Sequence, residues 1–143
     1  MRRTLTIAIV GAGGDGVIVL GSFLQKPAAL QGYFDQMPRY YGAQIRGGAS
    51  AMKLSLGAEH LSMPEDTADI LLCFDWEEYQ ELAAELPLGE DTMVLYNDNP
   101  PQGINLPKQS FLIDFSDESR EVTGSTMVAL TDSEPRYMMR LLA

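Results

Sequence analysis

Residues 7–16 read IAIVGAGGDG, an apolar run that passes without interruption into glycines at 11, 13 and 16. That pattern restricts a chain to a strand, a sharp turn and a helix packed back on the strand. The glycines let the backbone reverse, admit a close neighbour, and leave the first helical N–H groups pointing outward, where an anion can sit. One reading is a dinucleotide site, which needs an acidic residue about 20 positions later for a ribose hydroxyl. Asp35 stands at such a distance. Against it, Pro27 interrupts the helical crossover and the strand ahead of Asp35 is short. The bland alternative is that the glycines only build a tight strand-to-helix turn.

The length, 143 residues, suits one domain over 1–143 and leaves no room for a separate substrate domain. A net charge of −10 repels phosphate backbones and anionic lipid. Arg46, Gly47 and Gly48 form one isolated Arg-Gly-Gly outside any basic run, so neither nucleic acid nor a membrane surface is expected as partner. No apolar stretch nears the roughly 18 residues of a membrane span, and the first residues lack an apolar signal region, which points to the cytoplasm. Cys73 is the single cysteine, excluding an internal disulfide and a four-cysteine iron–sulfur cluster. It lies in the apolar run ILLCF, as a buried structural thiol does, and nothing favours a catalytic pair with the single histidine, His60.

Along the chain, residues 4–10 read as a central strand and 17–31 as a helix with Val17, Leu20, Leu24 and Ala28 on one face. Gly21 should weaken that helix and Pro27 should kink or end it. A short strand is expected at 33–37, a loop at 38–48, and a β-hairpin formed by 49–56 with 60–62. Residues 68–74 read as a buried strand, and Asp75 as the N-cap of a helix reaching about residue 86. Further strands are expected at 92–96 and 110–115, with a final helical turn or two at 137–142. The alternation predicts an α/β fold: a single Rossmann-like three-layer domain with a mostly parallel sheet and an inserted β-hairpin.

Three local features carry competing readings. Arg46 is a cation inside a glycine-rich loop, suited either to a carboxylate or phosphate or to a salt bridge holding the loop. Residues 38–41, with Arg39 and two tyrosines, fit either an interface or a packed loop. Trp76, just after a strand's carboxyl end, is either a ligand contact or packing. Gly14, Asp15 and Gly16 also resemble the start of a thiamine diphosphate motif, but the asparagine that should follow within about 30 residues is absent until Asn97, so that spacing fails.

Taken in order, IVGAGGDG, Gly32-Tyr33 and the YGAQIRGG segment at 41–48 make the chain similar to the gamma subunit of 2-oxoacid:ferredoxin oxidoreductases of the pyruvate, 2-oxoglutarate and 2-ketoisovalerate type. That family has a GxGGQG loop, a YGxExRGG loop, a buried strand ending in Asp, and a late NMVALG segment. Gly11, Gly13, Gly14 and Gly16 match the first loop; Tyr41, Gly42, Arg46, Gly47 and Gly48 the second. Asp69 and Asp75 bracket the strand, and Met127, Val128, Ala129 and Leu130 match the last segment. Asp15 stands where the family has Gln, Gln44 where it has Glu, Thr126 where it has Asn and Thr131 where it has Gly, and the C-terminal helical region is shorter. A carboxylate at 15 opposes an anion at the helix N-terminus unless a cation compensates.

The resemblance implies a gamma-type subunit of a hetero-oligomer with alpha and beta chains, with or without a delta chain. Such a complex converts a 2-oxoacid to an acyl-CoA and passes electrons to ferredoxin. Thiamine diphosphate, magnesium and the iron–sulfur clusters belong to the partner subunits, and coenzyme A is a substrate of the complex. The isolated chain is then inactive, with no catalytic residue and no metal ligand. Its cofactor-facing positions would be Gly11, Gly13, Gly14, Asp15, Gly16, Tyr41, Gly42, Arg46, Gly47 and Gly48. The competing functions are a free-standing Rossmann-type dinucleotide-binding protein, resting on Asp35, and a non-catalytic structural or regulatory interaction module, resting on Asp15 and the short C-terminal region.

Overall fold

The computed structural model describes residues 4–44, 47–63 and 66–113. Among them the apolar run at the start becomes β1 (Thr4–Ala12), followed by α1 (Val17–Leu30), β2 (Phe34–Gln36), β3 (Arg39–Tyr41) and β4 (Ala49–Gly57). Then come β5 (Ile70–Cys73), α2 (Trp76–Glu81), β6 (Met93–Tyr96) and β7 (Ser110–Leu112). The described strands form one mixed sheet in the order β2, β4, β1, β5, β6, β7, with β3 also on β4. β1, β5, β6 and β7 run parallel, and β4 is antiparallel to β1, β2 and β3.

Strand alternation sorts the core into two faces. Ile7 and Ile9 of β1 join Met52 and Leu54 of β4 under α1, with Val17, Leu20 and Leu24. Ala8 and Val10 turn to the other face, where Ala51, Leu71, Val94, Trp76 and Tyr79 meet. One helix on each face makes three layers, as the α/β expectation required. Gly21, which weakens a helix by propensity, serves this packing: a Cβ there would lie 2.6 Å from Met52 Sδ.

The inserted antiparallel element is present but differently built. Residues 60–62, expected as the second arm of a hairpin with 49–56, form no strand. The first arm is instead the edge segment before β4. Phe34 faces Gly57 and Arg39 faces Met52, so β2 and β3 share one unbroken register and are two halves of one edge strand. They part at Met37 and Pro38, because Pro38 has no N–H to give the ladder, although its carbonyl still accepts from Lys53 N–H at 3.1 Å. Residues 39–41, expected as loop, are thus strand, and Gly42 and Ala49 close the hairpin beyond them.

Pro27 does not end α1. It is exposed, so water can satisfy the carbonyl it leaves unbonded, and the helix runs one turn further to Leu30. The stop comes at Gly32: its N–H donates to Ala29 O at 3.0 Å and Tyr33 N–H to Ala28 O at 3.1 Å, a Schellman ending. α2 is shorter than expected, giving way after Glu81 to turns that reach Leu86. The expected helical turns at 137–142 and the matched segment at 127–130 lie outside the described residues. No helix among the described residues is long and apolar enough to cross a membrane.

Candidate functional site

The ladder between β1 and β4 decides where the two glycine loops meet. Ala12 faces Ala49, so the chain leaving β1 and the chain entering β4 emerge side by side. Gly13 N–H donates to Gly48 O at 2.9 Å. A Cβ on Gly13 would lie 3.3 Å from Gly47 Cα and 3.4 Å from Gly48 O, so the two backbones touch where side chains would hold them apart. Gly47 has φ 69°, a left-handed conformation that costs other residues strain. This junction lies at the carboxyl ends of β1 and β5, where open α/β sheets place their ligands.

The first loop is a closed turn. Asp15 N–H donates to Ala12 O at 3.1 Å, and Asp15 Oδ2 accepts from Ala12 N–H at 2.8 Å. The carboxylate that the sequence places at an anion site is therefore folded back onto the turn's own backbone. A single cysteine cannot supply the ligands of a four-cysteine cluster. Gly16, φ 79°, is the N-cap of α1, and no side chain caps the helix's first N–H groups.

The second loop leaves β3 at Tyr41, which is exposed beside Arg39 on one side of the edge strand, while Tyr40 turns inward to the α2-side core. Burial, and then Glu85, push the Tyr40 phenol above its ordinary value. Gly42 N–H closes the hairpin on Ala49 O at 2.8 Å, and Ala43 N–H donates to Glu81 Oε1 at 2.8 Å. Ile45 and Arg46 lie outside the described residues. Among the predicted positions, the structure thus brings together Gly11, Gly13, Gly14, Asp15 and Gly16 with Tyr41, Gly42, Gly47 and Gly48.

Glu81 was not legible as part of this site, since no local pattern connects position 81 with position 43. Phe74 N–H donates to Val10 O at 2.9 Å, and Asp75 Oδ1 caps α2 by accepting from Glu77 N–H at 2.8 Å and Glu78 N–H at 3.4 Å, as its sequence position predicted. Burial and the carboxylates of Asp75, Glu81, Glu77 and Asp15 raise the Glu78 carboxyl above its ordinary value. The described residues of this corner are strongly acidic.

The remaining candidates separate. Trp76 is buried, donates its indole N–H to Asp98 O, and packs edge-on against Tyr79 at 5.5 Å between ring centres and obliquely against Tyr96 at 5.7 Å. It is a packing residue. Cys73 is 1% exposed, and burial pushes its thiol up to about 12, the wrong direction for a nucleophile. His60 follows the end of β4 that pairs with the start of β1 and stacks against Phe34, whereas Cys73 ends β5 beside Val10, so the two cannot act as a pair.

Asp35 also falls at the wrong end. It faces Leu56, which in turn faces Leu5, about 20 Å along the sheet from Gly11 at ~3.3 Å per residue. Its Oδ2 accepts from the Gln25 side chain. A ribose on Asp35 could not share a ligand with the glycine turn in the dinucleotide manner. Titration with NADH, followed by energy transfer from Trp76, is expected to give no saturable signal up to about millimolar concentration; a saturable one would restore the dinucleotide reading.

Comparison with known proteins follows the same lines. The sequence model described as pyruvate ferredoxin/flavodoxin oxidoreductase matches residues 6–131. The chain is 31% identical over 96 residues to ketoisovalerate oxidoreductase subunit VorA of Methanothermobacter marburgensis, covering 66% of this chain and 20% of that one. It is 32% identical over 111 residues to 2-oxoglutarate synthase subunit KorC of Archaeoglobus fulgidus, covering 75% of this chain and 58% of that one. The chain thus spans a fifth of the first relative and under two thirds of the second. The structure resembles 2-oxoglutarate:ferredoxin oxidoreductase from Magnetococcus marinus, solved with 2-oxoglutarate, coenzyme A and succinyl-CoA bound. The TM-score is 0.71 at 25% identity, over 86% of this chain and 22% of that one.

Proposed function

Because the chain belongs to the pyruvate ferredoxin/flavodoxin oxidoreductase family, we propose that it is the gamma-type chain of a multisubunit 2-oxoacid oxidoreductase. In this reading it packs beside a thiamine diphosphate site held by other subunits, and its two glycine loops line the entrance used by coenzyme A and the 2-oxoacid. The observation that carries the proposal is the backbone contact of Gly13 with Gly48, which makes one surface of two loops that are separate in sequence. Coenzyme A bound to the related Magnetococcus marinus enzyme supports an acyl-CoA product.

The chain's own part is to bind and orient. Glycine backbone at 13, 14, 16, 47 and 48 offers close approach without side chains, and Arg46 is the proposed partner for an acidic group of the substrate or of a neighbouring subunit. The acidic side chains around α2 do not favour a phosphate on the described loop residues themselves, so Arg46 or a partner's cation has to balance the charge. Among the described residues no group of His, Cys, Asp or Glu is arranged to hold a metal ion, and no step of the chemistry is assigned to this chain alone.

Native mass spectrometry of the complex purified through this chain tests the proposal. Larger subunits carrying thiamine diphosphate and iron–sulfur clusters are expected to co-purify, and acyl-CoA formation is expected to require the chain. A partner complex with full turnover in its absence would overturn the reading.

A further inference from the structure

The described residues on both sides of positions 45–46 are each held. On the far side Gly48 O accepts from Gly13 N–H at 2.9 Å; on the near side Ala43 N–H donates to Glu81 Oε1 at 2.8 Å. The second bond is of the charge-assisted kind, carboxylate to backbone amide, and is the stronger type. It is also built for. A Cβ at Gly42 would collide with the Glu81 carboxylate and lie 2.9 Å from Ala49 Cβ, so the carboxylate reaches this backbone because position 42 has no side chain.

The element that carries Glu81 is itself pinned. Asp75 caps the start of α2, the Trp76 indole is bonded to Asp98 O, and Tyr79 OH donates to Leu86 O at 3.2 Å. Glu81 is the last residue of that helix, and its side chain crosses to the hairpin tip. Glu81 is one of the carboxylates, with Asp75, Glu77 and Asp15, that raise the Glu78 carboxyl.

We propose that Glu81 is a positioning residue: by fixing Ala43, next to the Gly42–Ala49 bond, it holds the described residues 42–44 beside Gly48 and the 11–16 loop and thereby tunes binding of the thiol acceptor, coenzyme A, without touching the reacting atoms. The role in coenzyme A binding rests on the function proposed above, whereas the clamp itself does not.

Two measurements separate them. Amide hydrogen exchange on the full chain reads the clamp directly. Glu81→Ala is expected to speed exchange at Ala43 about tenfold or more, and Glu81→Gln, whose neutral amide oxygen still accepts, to speed it less. In the assembled enzyme, Glu81→Ala is expected to raise KM for coenzyme A several-fold with kcat within about twofold, and Glu81→Gln to rescue it. Unchanged exchange in Glu81→Ala, or a Gln variant as impaired as Ala, overturns the clamp. Faster exchange with an unchanged KM for coenzyme A overturns the role in acceptor binding. If the wild-type chain assembles with no thiamine-bearing subunit, the proposed function fails, and exchange alone decides the clamp.

Discussion

In Gly13→Val the two glycine loops are expected to part, and acyl-CoA formation by the assembled enzyme to fall on the order of a hundredfold, the scale at which an ångström of displacement acts on an oriented site. The reason is spatial. A Cβ at position 13 already stands 3.3 Å from Gly47 Cα, and valine adds two methyl groups against backbone that has no side chain to move aside. The bond from Gly13 N–H to Gly48 O is lost or lengthened, a net cost of about 1 kcal/mol, and crowding adds about 1–3 kcal/mol. Gly13→Ala should retain more activity, since small shifts of the loop can absorb one methyl group. Turnover and a thermal melt on both variants check this. Full activity in Gly13→Val would mean that the loops need not touch for function.

Ile9→Ala is expected to cost about 2–5 kcal/mol of unfolding free energy. Ile9 is 0% exposed and lies between Met52 of β4 and Leu72 of β5. Strands on both sides fix its surroundings, so the cavity cannot easily collapse. In a domain stabilised by about 5–15 kcal/mol this removes a large share. A denaturant midpoint lowered with an unchanged slope is the expected sign. Leu30→Ala, at a residue 89% exposed, should stay within about 0.5 kcal/mol, and equal losses in the two variants would refute the placement of the core.

What was legible in the sequence was local. The strand, glycine turn and helix of 4–30, the Asp75 cap, and the strands at β5 and β6 each follow from patterns within a dozen residues. Pairing was not legible. The alternation at 49–57 marks a strand but does not say that it enters between β1 and the edge, antiparallel to both. Pro38 made residues 39–41 read as loop because proline usually punctuates, whereas on an edge strand one missing N–H breaks a single rung of the ladder. Pro27 misled in the same way, since an exposed proline near a helix end leaves its orphan carbonyl to water.

The site divided along the same line. Gly11, Gly13 and Gly16 announce a turn by spacing, and Gly47 and Gly48 a second one, but their meeting depends on the register of a ladder formed far apart in sequence. Asp15 was read for its charge, while its position is decided by a backbone amide three residues earlier. Asp35 fitted a spacing rule that presumes its strand lies next to β1; with β4 inserted between them, it falls at the other end of the sheet.

That insertion also divides the sheet into near and distant pairings. The hairpin of 34–41 with 49–57 closes a short stretch of chain and can form early, whereas the nine-pair ladder of β1 with β4 must bring together segments separated by all of α1 and the edge strand. The junction of Gly13 with Gly48 depends on that distant pairing. A partner that grips the joined loops therefore meets a surface that exists only where β1 and β4 are paired.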